Sequence, residues 1–254
     1  MDNERFAFFL DIDGTLYTNG EVCEKNRLAI ARARQLGHLV FINTARSAAI
    51  IPPQVAQLPV DGYITSLGCS INTRGRQLLC DVIPPAELAE LVDYFEAHDR
   101  QFIFEGEHRI ISNRPYAFEG TVFVNSSAEY LEKIGDDEVS KVYIPHTLSP
   151  EEQRVFGEKY MFFQHESYAE FAVKGHSKST GIAAVLREYD IPVERSAAMG
   201  DSLNDADMLA FCGISVAMGD AVPEVAAKCD IVTCPAAEGG VAEGIMRVTG
   251  IKMI

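Results

Sequence analysis

The chain has 254 residues, with 37 Asp and Glu against 22 Lys and Arg, for a net charge of −15 at pH 7. So acidic a surface lacks the basic footprint that nucleic acid or an anionic membrane requires, which excludes both as partners. Hydrophobic residues at 47% and charged residues at 23% exclude a disordered chain, and the length predicts one or two domains.

From the N-terminus, Phe6 to Leu10 is a continuous apolar run, the pattern of a strand buried on both faces of a parallel sheet. Asp11 interrupts it too early for a leader sequence, and no stretch approaches the ~20 apolar residues of a membrane span. Asn26 to Leu36 reads as a helix ended by Gly37, followed by strands at Leu39 to Ile42 and Gly62 to Thr65. Alternating strands and helices predict βαβ units. From Pro84 the pattern changes. Leu88, Leu91, Val92 and Phe95 fall on one face of a helix. Gln101–Phe104 with Arg109–Ser112, and Met161–Gln164 with Tyr168–Val173, read as hairpins. Thr121–Val124 and Lys141–Ile144 add strand signals, and Ser149-Pro150-Glu151-Glu152 is a capping box. This predicts an antiparallel α+β unit. After Gly175 the βα alternation returns to the C-terminus. The expected fold class is therefore α/β, a Rossmann-like core of residues 1–82 and 175–254 with residues 83–174 inserted.

The six cysteines, at 23, 69, 80, 212, 229 and 234, form no CxxC pattern and have no accompanying His cluster. That usage predicts reduced thiols in a cytoplasmic protein.

Three polar clusters follow predicted strands: Asp11-Ile12-Asp13-Gly14-Thr15, Thr44-Ala45-Arg46, and Gly200-Asp201-Ser202-Leu203-Asn204-Asp205. Ligands of open parallel sheets bind outside the carboxyl ends of the strands, so the three are expected to form one site. Asp11, Asp13, Asp201 and Asp205 would crowd carboxylates that need a cation, and oxygen-only ligands select a hard ion such as Mg²⁺. Gly14 and Gly200 let backbone approach an anion, Thr44 offers a hydroxyl, and Lys178 a fixed positive charge. Together they have the equipment for phosphoryl transfer through an aspartyl-phosphate. Asp11 would attack, while Asp13 would protonate the leaving oxygen and later activate water. Plainer roles stay open: Thr44 and Asp205 as helix caps, Asp207 as a first-turn acid, and Lys174 in place of Lys178. In the insertion, Glu105, His108, Arg109, Asn113, Arg114 and His165 are candidates to read the leaving group.

These motifs resemble the haloacid dehalogenase superfamily, in its Cof-like type IIB branch. Asp11-x-Asp13-Gly14-Thr15-Leu16 matches the first motif, Thr44-Ala45-Arg46 the second, Lys178 the third, and Gly200-Asp201-x-x-Asn204-Asp205 the fourth. The resemblance implies Asp11 as nucleophile and Asp13 as general acid and base, both with Asp201 on Mg²⁺. Thr44, Lys178 and Asn204 would hold the phosphoryl group, with Gly14, Thr15, Ala45, Arg46, Ser202 and Asp205 in support. The insertion would be the branch's substrate-selecting cap. Three positions depart from the pattern: Ala45 for glycine, Leu67 for the asparagine of N-G-A, and Asp220 for the asparagine of M-G-N-A. The expected activity is a Mg²⁺-dependent phosphatase of small phosphorylated metabolites, sugar phosphates above all, acting as a monomer or weak homodimer. A phosphosugar mutase would carry the same motifs, and a catalytically idle sensor of a phosphorylated ligand would retain the pocket. A phosphoreceiver domain is about half this length and has no insertion.

Overall fold

The computed structural model of the protein describes residues 5–116, 118–134 and 137–251, so the expected outer domain ends at 1 and 254 lie outside the described residues. The first stretch supplies strands β1 (Ala7–Leu10), β2 (Tyr17–Thr18), β3 (Glu21–Val22), β4 (Leu39–Asn43), β5 (Gly62–Thr65), β6 (Ser70–Thr73) and β7 (Arg76–Cys80). Helices α1 (Glu24–Gln35) and α2 (Pro53–Ala56) lie between them. Next come α3 (Pro85–Ala97), β8 (Ile103–Gly106), β9 (Ile110–Ser112), β10 (Val122–Phe123), α4 (Ser127–Ile134), β11 (Val139–Ile144), α5 (Pro150–Lys159), β12 (Met161–Gln164) and β13 (Ala169–Ala172). The chain closes with α6 (Lys178–Glu188), β14 (Ser196–Gly200), α7 (Ala206–Phe211), β15 (Ile214–Ala217), α8 (Pro223–Ala226), β16 (Ile231–Val232) and α9 (Gly240–Thr249).

The residues form two compact units. Of the described residues, one holds those within 5–45, 52–78 and 177–251, and the other those within 46–51 and 79–176. Arg46–Ile51, which the sequence pattern leaves in the first unit, clusters with the second.

The first unit is built on an eight-stranded sheet in the order β16-β15-β14-β1-β4-β5-β6-β7. From β16 to β5 all neighbours are parallel, while β6 turns back antiparallel to β5. The central strands are apolar throughout because helices cover both faces of a parallel sheet, so alternation is lost. Thus Ala7 to Leu10 and Leu39 to Ile42 are all buried. β1 lies between β4, which follows it in sequence, and β14, from the far end of the chain. That is a topological switch, and its carboxyl edge gathers three strand ends. At the opposite edge, Asp61 ties helix to sheet. It accepts from Arg34 Nε and Nη2 at 3.0 and 2.9 Å and from the Val40 amide at 3.0 Å.

The second unit has a six-stranded sheet, β10-β9-β8-β11-β13-β12. Here the period of two is clear: Phe104, Val142 and Phe171 enter the apolar core with Leu88, Val92 and Phe95 of α3, while Glu105, Lys141 and Glu170 take the alternate positions. The pairs are antiparallel as expected except one. β10 joins β9 in parallel, because the intervening loop returns the chain before it pairs. α4 also went unread: its buried residues are Tyr130 and Ile134, too few anchors to show a helical repeat.

Replacing Asp61 with alanine should cost about 2 kcal/mol, since it strips a buried amide and a guanidinium of their acceptor. Urea denaturation would read this as a lowered midpoint at unchanged slope.

Candidate active site

β1, β4 and β14 stop side by side: Leu10 is level with Ile42 and with Met199. The next residues are therefore brought together, and the Asp11 amide bonds Met199 O at 3.0 Å. Asp11 is 4% exposed. Past it the chain winds tightly, with the Leu16 and Tyr17 amides both on Ile12 O, at 2.9 and 2.8 Å. This coil leaves Asp13 at the surface, two residues from its buried neighbour. Gly14 takes φ 76°, and a Cβ there would stand 2.3 Å from Asp201 Oδ2, so only glycine fits. Thr15 Oγ1 donates to Asp201 Oδ1 at 3.3 Å. The hairpin β2–β3, turned by Asn19-Gly20, continues directly from this coil, and that dipeptide is a strong hairpin signal in the sequence.

Lys178 opens α6, whose N-cap is Ser177, with Oγ accepting from the Thr180 amide. Its ammonium is 1% exposed and donates to Asp11 Oδ1 at 2.7 Å and to Asp205 Oδ1 at 2.5 Å. Lys174, the rival candidate, donates instead to Glu158 O in the second unit. Burial pushes the Asp11 carboxyl up, to about 7, against the pull of Lys178. Lys178 is itself raised: burial works against its charge, but Asp11 and Asp205 more than compensate. Burial, aided by the Asp205 charge, pushes half-buried Asp201 up to about 6.

Oxygens of Asp11, Asp201 and Asp205 lie within 4.8 Å of one another. Both oxygens of Asp205 are already engaged, Oδ1 by Lys178 and Oδ2 by the amides of Asp201 and Ser202 at 3.0 and 3.2 Å. Asp205 is thus a brace, and its close contact with Gly200 leaves no room for a side chain there. Asp11 and Asp201 remain as a carboxylate pair that fits a hard divalent cation.

Other expected residues fall as follows. Thr44 is buried, its amide on Ile64 O and its carbonyl taken by the Leu67 amide. Ala45 needs no left-handed backbone, so alanine for glycine adds no strain. Arg46 donates to Ile50 O and belongs to the second unit. Asn204 is exposed and accepts from Ser202 Oγ at 2.9 Å; no bond carries it to Asp11 or Lys178. Asp220 holds the Ala236 amide at 3.0 Å, and its charge adds to the rise at Asp201. Asp207 caps not its own helix but α6, through the Ser179 amide at 2.9 Å. Asn43 went unnoticed: fully buried, it donates from Nδ2 to Lys178 O at 3.1 Å. Its signal was a polar residue closing an apolar strand. In the second unit, Arg109 pairs with Asp137, Arg114 with Asp99, and Asn113 braces Phe102 and Arg100, all structural ties. His108 has no role assigned by its surroundings. Glu105 and His165 join Lys141 and Glu170 in a charged cluster on the sheet.

The sequence profile of the haloacid dehalogenase-like hydrolases matches residues 8–245. The chain belongs to that family. Among its relatives in this hydrolase family, YkrA of Bacillus subtilis, a provisionally named phosphatase, is 26% identical over 99% of this chain and 100% of its own. The 5-amino-6-(5-phospho-D-ribitylamino)uracil phosphatase YitU of Bacillus subtilis is 25% identical over 95% and 97%. The structure of the subclass IIB sugar phosphatase BT4131 superposes with a TM-score of 0.79 at 29% identity, covering 97% of this chain and all of that one. The fold of that sugar phosphatase is therefore this hydrolase's fold. No helix among the described residues is long and apolar enough to cross a membrane.

Replacing Lys178 with methionine should leave Asp11 and Asp205 facing each other without a cation, at a cost of about 3–5 kcal/mol near neutral pH. The Asp11 pKa already lies above its unfolded value and would rise further. The native variant then holds a proton that the unfolded chain has lost, and its stability falls as pH rises from about 4 through 7 and beyond. Urea midpoints at pH 5 and pH 8 should differ more in the variant than in the parent; equal differences would overturn this reading.

Proposed function

We propose that this hydrolase is a cytoplasmic, Mg²⁺-dependent phosphatase of small phosphorylated metabolites, sugar phosphates foremost, with Asp11 as nucleophile. The observation that carries the reading is the buried ammonium of Lys178 on Asp11 Oδ1, beside Asp201, at the carboxyl edge of a parallel sheet. A carboxylate so held is oriented to attack, and a fixed cation beside it stabilises a transferring phosphoryl group. A cation held by Asp11 and Asp201, with the Asp13 carbonyl in support, would neutralise phosphate charge.

In the first step an Asp11 carboxylate oxygen bonds to phosphorus while the ester P–O bond breaks. Asp13 gives its proton to the departing alkoxide. In the second step Asp13, now a carboxylate, takes a proton from water as that water's oxygen attacks phosphorus. The bond to Asp11 breaks, inorganic phosphate leaves, and both aspartates return to their starting states. The exposed position of Asp13 supports this proton traffic, and the burial of Asp11 keeps bulk water from the nucleophile. Thr44 and Lys178 hold the phosphoryl oxygens. The inserted unit would select the leaving group, and the sugar phosphatase BT4131 among the relatives favours a hydroxylated one.

Phosphate release should be measured over sugar phosphates, nucleotides and an aryl phosphate, with Mg²⁺ and with EDTA. Turnover should require the metal, vanish in Asp11→Asn and fall about 10²–10⁴-fold in Asp13→Asn. Isomerised sugar phosphate with little free phosphate would replace this reading with a mutase.

A further inference from the structure

The connection between β5 and β6 has an unusual hand. Thr65 pairs with Ser70, so Ser66 to Cys69 form a four-residue hairpin loop. Such loops are most often built around a type I turn, in the right-handed region. Here Ser66, Leu67 and Gly68 take φ of 50°, 58° and 92° in succession, and only Cys69 is right-handed, at φ −69° and ψ −27°. Two of the three carry a Cβ that resists this conformation, and leucine is a poor choice for it. Successive left-handed residues persist only where their surroundings demand them.

Those surroundings lead to the phosphate-binding residues. The Leu67 amide donates to Thr44 O at 3.2 Å, so the turn grips the backbone of Thr44 from beyond its own strand pairing. On its other side, Gly68 lies under the N-cap of α6. A Cβ at Gly68 would meet Ser177 O at 2.2 Å, and one at Gly181 would meet Ile64 Cγ2 at 2.5 Å and Gly68 Cα at 3.4 Å. The residue after Ser177 is Lys178. We propose that the left-handed turn Ser66–Leu67–Gly68 is a positioning element of the phosphatase site. Its hand sets the spacing between Thr44 and the N-terminus of α6, where Lys178 holds Asp11. The inference rests on the phosphatase reading for its kinetic test, but its geometry is independent of substrate.

Position 67 separates this role from ordinary packing. Leu67 is 8% exposed, so if its side chain mattered, Leu67→Val would be the mild change and Leu67→Asn the severe one. If the backbone hand matters, the order inverts: asparagine accepts the left-handed region and a β-branched residue does not. The expected result, at a temperature where circular dichroism shows all variants folded, is that Leu67→Val loses at least tenfold in kcat. Its inhibition by orthovanadate should weaken similarly, while Leu67→Asn restores both to within about threefold of the parent. Gly68→Ala should behave like Leu67→Val. Amide hydrogen exchange at Thr44 and Gly181 reads the same geometry without turnover, and should be faster in the valine variant than in the asparagine variant. If the parent hydrolyses no phosphoester while this exchange order holds, the phosphatase reading alone falls. A flat or inverted order in exchange, or in the kinetics of an active parent, overturns the positioning role.

Discussion

One ammonium group organises the candidate site. Lys178 is buried between Asp11 and Asp205, and an unpaired charge there would not be tolerated in so dry a place. The three groups therefore stand or fall together, and each comes from a different part of the chain. Asp11 follows β1, Lys178 begins α6, and Asp205 follows β14. Satisfying one cation obliges the sheet to close with β14 beside β1. The fourth partner, Asp201, lies close enough to leave an excess of negative charge, and that excess makes the pocket receptive to a metal ion. Folding and chemistry share the same electrostatics.

Much of this was legible in the sequence because it obeys short-range rules. The apolar runs at Phe6 to Leu10 and Leu39 to Ile42 announce buried parallel strands, and a polar cluster after each marks the strand end. Asp11, Asp201 and Lys178 come together at the carboxyl edge of the sheet, and Lys178 is separated from Lys174 by its bonds to Asp11 and Asp205, where Lys174 bonds Glu158 O. Asn204 was less legible. Motif position places it at the phosphate, yet its side chain turns to Ser202, a choice made by the local loop and not by spacing.

What stayed hidden depends on contacts between distant residues or on the sign of a dihedral angle. No periodicity separates Asn43 as a strand residue from Asn43 as the acceptor-seeking amide that steadies α6. The parallel pairing of β10 depends on how a loop returns, which composition does not encode. Leu67 gives the opposite of a clue: its side chain argues against the left-handed backbone it adopts, so local preference and tertiary demand disagree at that position. Such disagreement concentrates around functional residues.

The inserted unit begins at Leu79 and ends at His176. Just inside those ends, His176 Nε2 and Asp81 Oδ2 meet at 2.7 Å. The outgoing and returning segments therefore meet at that contact, which fastens the neck of the loop that the insertion closes. Lengthening such a loop is cheap, about 0.6 kcal/mol for each doubling. The scaffold is consequently free to exchange one insertion for another of different size while the sheet keeps its register. A replacement would also involve Arg46–Ile51, which clusters with the inserted segment. Insertions of different length are thus cheap to carry on one and the same sheet.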